Sequence, residues 1–90
     1  MDLVDLAARR DIALEALDPA RNCRRRYRIE RSRDLFGHEI IDLSWGRIGT
    51  SGQSMRLSAP TPEQAVARVR VILARRASAR CRIGVAYRPR

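Results

Sequence analysis

The segment APTPEQAVARVRVILARRA, Ala59 to Ala77, limits the fold more than any other part of the chain. Thr61 stands as an N-cap, Pro62 at the first helical position and Gln64 three residues after the cap. This is the signature of a helix start. Ala65, Val66, Val69, Ile72 and Leu73 then recur at helical spacing, so one stripe faces a core. Arg68, Arg75 and Arg76, followed by Arg80 and Arg82, read as the opposite, solvated side. Gly84 marks the end of the helix or its tail. A helix with one apolar stripe needs an apolar surface to lie on, and the residues before it must supply that surface.

They do so as strands. In RRRYRIER, Arg24 to Arg31, Tyr27 and Ile29 share one face while Arg26, Arg28 and Glu30 share the other, the alternation of a half-buried strand. Glu39 to Arg47 alternates likewise. Ile41, Leu43, Trp45 and Arg47 lie on one face, with Ile40, Asp42, Ser44 and Gly46 opposite. Gln53 to Ser58 is a third strand, with Met55 and Leu57 pointing one way and Arg56 the other. SRDLFG is a loop between the first two of these. IGTSG turns the chain between the last two, because Gly49 and Gly52 accept positive φ. The stretch from Leu3 to Asp18 is open between a helix, which its composition favours, and a strand, which the alternation around Ile12 and Leu14 permits. Pro19 closes it. DPARN follows as a turn or one helical turn, with Asp18 as its cap. The fold class is therefore α+β: a small antiparallel sheet of about four strands packed against one long C-terminal helix. Ninety residues form one domain, 1–90, with its core over about 12–84 and tails at 1–10 and 85–90.

Charge narrows the function. The chain has nineteen Arg, no Lys and ten acidic residues, for a net charge of +9. Residues 1–18 hold five acids against two arginines, net −3, so the remaining 72 residues carry +12. No acidic residue follows Glu63. An excess of this size points to a polyanionic partner, most often nucleic acid. The amino-terminal stretch is acidic and has no continuous apolar run, unlike a signal peptide, and no stretch approaches the ~20 apolar residues of a membrane span. The expectation is a cytoplasmic protein with no membrane contact and with Cys23 and Cys81 as reduced thiols.

Catalytic chemistry finds few residues. His38 is the only histidine, beside a loop glycine, with no gathered carboxylates to share acid–base work. Cys23 has no positioned base, and no four-ligand metal set can be assembled from the two cysteines and one histidine. GTSG lacks the lysine of a phosphate-cradling loop. The chain reads as no enzyme, with no catalytic residue, cofactor, metal or small-molecule substrate. Trp45, the only tryptophan, permits two readings: a core ring beside Ile41 and Leu43, or a surface ring that packs on a sugar or base. Arg47 shares its face, and Gly46 between them lets a backbone approach closely. Arg21 to Arg33 holds seven arginines and one glutamate, a mutual repulsion that an anion would relieve. Tyr87 stands in a stretch, VAYRPR, that reads as a trailing tail.

SWGRIGTSGQS, with LDPARNCRRRYRIERSRDLFG before it and PTPEQAVARVRVILARRASAR after it, resembles the WGR domain family, over roughly residues 12 to 84. The resemblance implies a small antiparallel sheet on one long helix, with DIALEALD as its first strand. Such domains occur in poly(ADP-ribose) polymerases, where they bind DNA at strand breaks. There the motif tryptophan packs on the terminal sugar, and the arginine helps to position the backbone and neighbouring domains. Carried over, those roles fall on Trp45 and Arg47, with Gly46 between them. A basic stretch before the second strand also contacts DNA, which corresponds to Asn22, Arg24 and Arg25. No polymerase catalytic segment lies in this sequence. The sequence departs from the pattern at Arg26, where relatives usually carry an aromatic residue, and in the spacing of Gly84 from Tyr87. The resulting expectation is a nucleic-acid-binding module, DNA favoured, that takes ends or nicks through phosphate and terminal-sugar contacts. The alternative is an adaptor or regulatory module docking on an acidic protein partner.

Overall fold

The structure is a computed structural model that describes residues 3–78 and 85–90. Five strands form one antiparallel sheet in the order β4-β3-β2-β1-β5: β1 Asp11–Asp18, β2 Cys23–Arg33, β3 Glu39–Arg47, β4 Gln53–Ala59 and β5 Arg88–Pro89. The single helix of more than one turn among the described residues is α1, Pro62–Ala77. Its cap is the one the sequence specifies: Gln64 N–H donates to Thr61 Oγ1 at 3.2 Å. Ala65, Val69 and Leu73 are buried against the sheet, and Val66 and Ile72 pack at the edge of the core. Gly84, Arg80, Arg82 and Cys81 lie outside the described residues; Cys23 is a free thiol.

The strand pattern follows the sequence closely. Residue pairs Ile12↔Ile29, Leu14↔Tyr27 and Ile29↔Leu43 put the alternating apolar residues on the helix-covered face. Asp18 accepts from Ala20 N–H at 3.1 Å and caps the one-turn helix Pro19–Arg21. Three features differ from expectation. The sheet gains a fifth strand, because Arg88 and Pro89 pair with Glu15 and Leu14. Tyr87 is thereby drawn into the core, 8% exposed, and is not a loose tail. At the other terminus, Leu3, Leu6 and Ala7 are buried around a helical turn at Leu3–Leu6 that packs against α1. Residues assigned to both tails thus supply core. A sheet this small has too little apolar surface to leave them out.

The far end of the β2–β3 ribbon is pinned by a buried acid. Glu39 is fully buried, with Arg10 Nη1 at 3.8 Å, Arg33 Nη2 at 3.9 Å and Arg31 Nη1 at 4.0 Å from its carboxylate. Arg31 also donates to the Ala8 carbonyl at 2.9 Å, so the cluster ties the amino-terminal segment to the sheet.

Candidate nucleic-acid interface

The site grows from the opposite end of the same ribbon. Register pairs Arg25 with Arg47 and Tyr27 with Trp45, so these four side chains stand in two adjacent rows on the helix-covered face. The helix does not close over them. Trp45 is half-buried: its ring stacks on Tyr27, 5.8 Å between centroids at 15°, and it also borders an open cleft. It is anchored in the core through Tyr27 and reaches the surface beside Arg47.

The cleft, of about 590 Å³, is lined by Arg21, Asn22, Cys23, Arg24, Arg25, Trp45, Gly46, Arg47, Arg76 and Tyr87. All six residues singled out from the sequence line it, and no carboxylate does. Asn22 ends the Pro19–Arg21 turn in a left-handed conformation, φ 52°, which asparagine tolerates better than most residues. This aims its side chain at Arg47, whose Nη2 donates to Asn22 Oδ1 at 2.9 Å and whose Nη1 donates to the Asn22 carbonyl at 3.3 Å. The Arg47 guanidinium is thus held in place while its remaining donors stay available.

Gly46 plays a different part from the one its sequence suggests. Its φ is +152°, and a Cβ there would lie 2.8 Å from Gly52 Cα. The backbone that approaches Gly46 is the chain's own. A Cβ on Gly52 would in turn collide with the Trp45 carbonyl oxygen. Arg26 locks the same corner from the open face, with Nη2 donating to the carbonyls of Thr50 at 2.9 Å and Ser51 at 2.8 Å. Arg26, which stands in place of an aromatic residue, thus holds the turn that follows the motif.

Arg76 does not lie on the solvated side of the helix, where its charge would put it. It is three residues after Leu73 and seven after Val69, so it falls on the apolar stripe, not opposite it. Its guanidinium lies 4.8 Å from the Tyr27 ring centroid and 5.9 Å from that of Tyr87. The Arg76 Nε is buried and has no hydrogen-bond partner among the described residues. Tyr27 and Tyr87 meet edge to face at 6.4 Å. Burial raises the Tyr27 phenol above its ordinary pKa; Arg76 opposes the rise, Tyr87 adds to it and Arg75 opposes it. Helical spacing alone reveals Arg76. Tyr87 reaches the site only through the two-residue β5.

The arginines divide by their partners. On the open face Arg28 bonds Asp11, at 3.1 and 3.2 Å, and Glu30 at 3.0 Å, and Arg56 bonds Asp42 at 2.7 Å. Arg21 meets Asp18 at 3.5 Å. Arg24 and Arg25 make no side-chain hydrogen bond or ion pair among the described residues. The repulsion expected across Arg21 to Arg33 is relieved internally everywhere except at the cleft. No cluster of three or more His, Cys, Asp or Glu suited to a metal occurs among the described residues. None of their helices is long and apolar enough to cross a membrane.

A five-stranded antiparallel sheet under one helix, with an arginine–aromatic cleft that has no carboxylate in its walls, defines an α+β module. The WGR domain family model matches residues 10–79, and the chain belongs to that family, whose domains are of nucleic-acid-binding type. Among curated proteins, the uncharacterized protein y4dW of Sinorhizobium fredii (strain NBRC 101917 / NGR234) is 48% identical over 42 residues. That match spans 47% of this chain and 21% of y4dW, so the similarity covers about a fifth of the longer protein. No solved structure matches the chain.

Proposed function

We propose that this chain is a non-enzymatic DNA-binding module that takes ends or nicks without reading sequence. The observation that supports it most is the carboxylate-free cleft, which gathers Asn22, Arg24, Arg25, Trp45, Gly46 and Arg47 and adds Arg76. Arg24 and Arg25 meet backbone phosphates, and Arg47, steadied by Asn22, and Arg76 add fork-shaped donors. The exposed part of the Trp45 ring packs on a sugar or base that has no stacked neighbour, as at an end or nick. Nothing in the cleft is shaped to enter a major groove, so base identity has little influence.

The test is titration of nicked, blunt and single-stranded DNA across a range of salt. Four arginine–phosphate contacts give a slope of log K against log[salt] of roughly −3 to −4. Nicked or blunt-ended duplex binds more tightly than a closed circle of the same sequence, and Trp45→Ala weakens binding about tenfold or more. Affinity that is weak and indifferent to salt sinks the reading. If Trp45→Ala leaves DNA affinity unchanged but abolishes capture of an acidic protein, the adaptor reading replaces it.

A further inference from the structure

The β2–β3 turn stands clear of the rest of the molecule. Leu35 is 99% exposed and Phe36 85%, although both are large and apolar. The turn that presents them is closely held. Asp34 Oδ1 accepts from the backbone N–H of Phe36 and of His38, each at 2.9 Å, and Asp34 Oδ2 lies 3.6 Å from His38 Nδ1. Asp34 N–H donates to the His38 carbonyl at 2.9 Å, and Gly37 N–H to the Asp34 carbonyl at 3.2 Å. Gly37, at φ +83°, completes the reversal. With the backbone held, seating the two side chains against a partner orders little besides their own rotamers.

Cations flank this apolar tip. Arg33 is the last residue of β2 before the turn, and Arg10 reaches the same place from the amino-terminal segment, because both guanidinium groups face Glu39. The Arg10 and Arg33 side chains are 57% and 55% exposed, whereas Glu39 is fully buried and Asp34 is engaged within the turn. Solvent at this end of the sheet therefore meets arginine more than carboxylate. The separations from Glu39, 3.8 and 3.9 Å, are too long for hydrogen bonds, and neither Glu39 oxygen has a hydrogen-bond partner among the described residues. The donors of Arg10 and Arg33 stay available for an anion. Duplex DNA offers both halves of a matching surface: base faces that an apolar wedge can cover, and phosphates on either side of them. An anionic bilayer offers a similar pairing. Leu35 and Phe36 together, however, carry less hydrocarbon than one myristoyl chain, which alone holds a bilayer only marginally, and the family is of nucleic-acid-binding type.

We infer that the Leu35–Phe36 tip is a wedge that enters the minor groove of duplex DNA and partly unstacks one base step, with Arg10 and Arg33 on the flanking phosphates. From Arg25, in the cleft, to Arg33, at the base of the turn, β2 advances eight residues. That is about 26 Å at the rise of a strand, the length of about eight base pairs. The tip therefore meets DNA away from whatever the cleft holds. It takes the interior of a duplex and bends it, as apolar wedges do. The inference rests on the nucleic-acid part of the reading above and not on ends or nicks. It gives the chain a hold on intact duplex that an end-binding cleft does not supply.

A dumbbell of about 30 base pairs, closed by a hairpin loop at each end, tests it, because it offers neither end nor nick. Fluorophores in the two loops report bending by energy transfer. The wild-type chain binds the dumbbell and draws the loops together. Leu35→Ser/Phe36→Ser lowers that affinity about tenfold or more and abolishes the bend. It leaves the salt slope unchanged, because an apolar contact releases no counterions. Both side chains are exposed, so this variant keeps its fold, which circular dichroism checks. Arg10→Gln/Arg33→Gln instead flattens the slope by about 2, near 0.9 for each lost phosphate. Should that pair fail to fold beside the buried Glu39, the tip variant decides alone. In a Trp45→Phe background, Phe36→Trp puts the only indole at the tip, and its fluorescence changes as the ring stacks on a base. Dumbbell affinity and bending that survive loss of the tip overturn the inference, as does an indole signal that ignores the dumbbell. A tip variant that keeps the dumbbell but loses phosphatidylglycerol vesicles overturns it too, and assigns the tip to a membrane surface. One nick added to the dumbbell reads the cleft separately: the nicked-to-closed affinity ratio reports end binding, and the bend of the closed form reports the wedge.

Discussion

At the scale of single residues, an arginine matters through what already holds it. Of the seven between Arg21 and Arg33, Arg26 serves turn carbonyls, Arg28 serves Asp11 and Glu30, Arg31 and Arg33 face Glu39, and Arg21 faces Asp18. Only Arg24 and Arg25 of that set lack an internal partner among the described residues. Composition cannot make this distinction, because all seven carry the same charge. Replacing both Arg24 and Arg25 by Ala is expected to flatten the salt slope of DNA binding by about 2, near 0.9 for each lost phosphate contact. Replacing Arg28 and Arg56 by Ala removes the same charge from the ion-paired face. It should leave the slope within about 0.5 of wild type, because those guanidinium groups are already committed to carboxylates. Equal losses in the two variants would mean that net charge, not the cleft, drives binding.

At the scale of elements, the β3–β4 corner is the least replaceable part of the site. Gly46 sits at positive φ with Gly52 against it, and the Trp45–Gln53 pair fixes the register just before the turn. Gly46→Ala forces a side chain into that contact and into a conformation alanine avoids, a cost of about 1–3 kcal/mol. Chemical denaturation should show that loss. Gly37→Ala, also at positive φ but with nothing within 4 Å of its Cβ, should cost less. Loss of the corner should also quench DNA binding by turning Trp45, and the two effects can be separated by assaying well below the melting point. Elements of this kind were legible in the sequence where local rules govern: the Thr61 cap, the alternation of β2 to β4, and the glycines of the turn. Trp45 and Arg47 on one face followed from period two alone. Arg76 is not legible from its charge, which suggests a solvated side; its position three residues from Leu73 puts it on the apolar stripe. β5 and the buried Leu3–Leu6 turn were missed because each is stabilised by distant partners, and two paired residues carry no local pattern.

At the scale of the molecule, the charge is unevenly resolved. The β2–β3 turn end of the sheet buries Glu39 among three arginines, and the open face pairs Arg28 and Arg56, while the cleft gathers five arginines with no acid in its walls. Crowding like charge at one end opposes the compact state, and a chain of this size has only about 5–13 kcal/mol of stability to set against it. Screening that repulsion should raise the melting temperature as NaCl increases from about 0.01 to about 0.15 M. A ligand that fits the cleft should do more than screening does. At a free concentration near 100 times its dissociation constant, nicked DNA adds about 2.7 kcal/mol, which for a domain of this length is about 10–20 °C. The two contributions separate in molar salt. There the DNA-dependent increment collapses with the affinity, whereas the screening increment persists. A melting temperature that falls with added salt would show that cleft repulsion does not limit stability. A DNA increment that survives molar salt would show that phosphate contacts do not carry the binding.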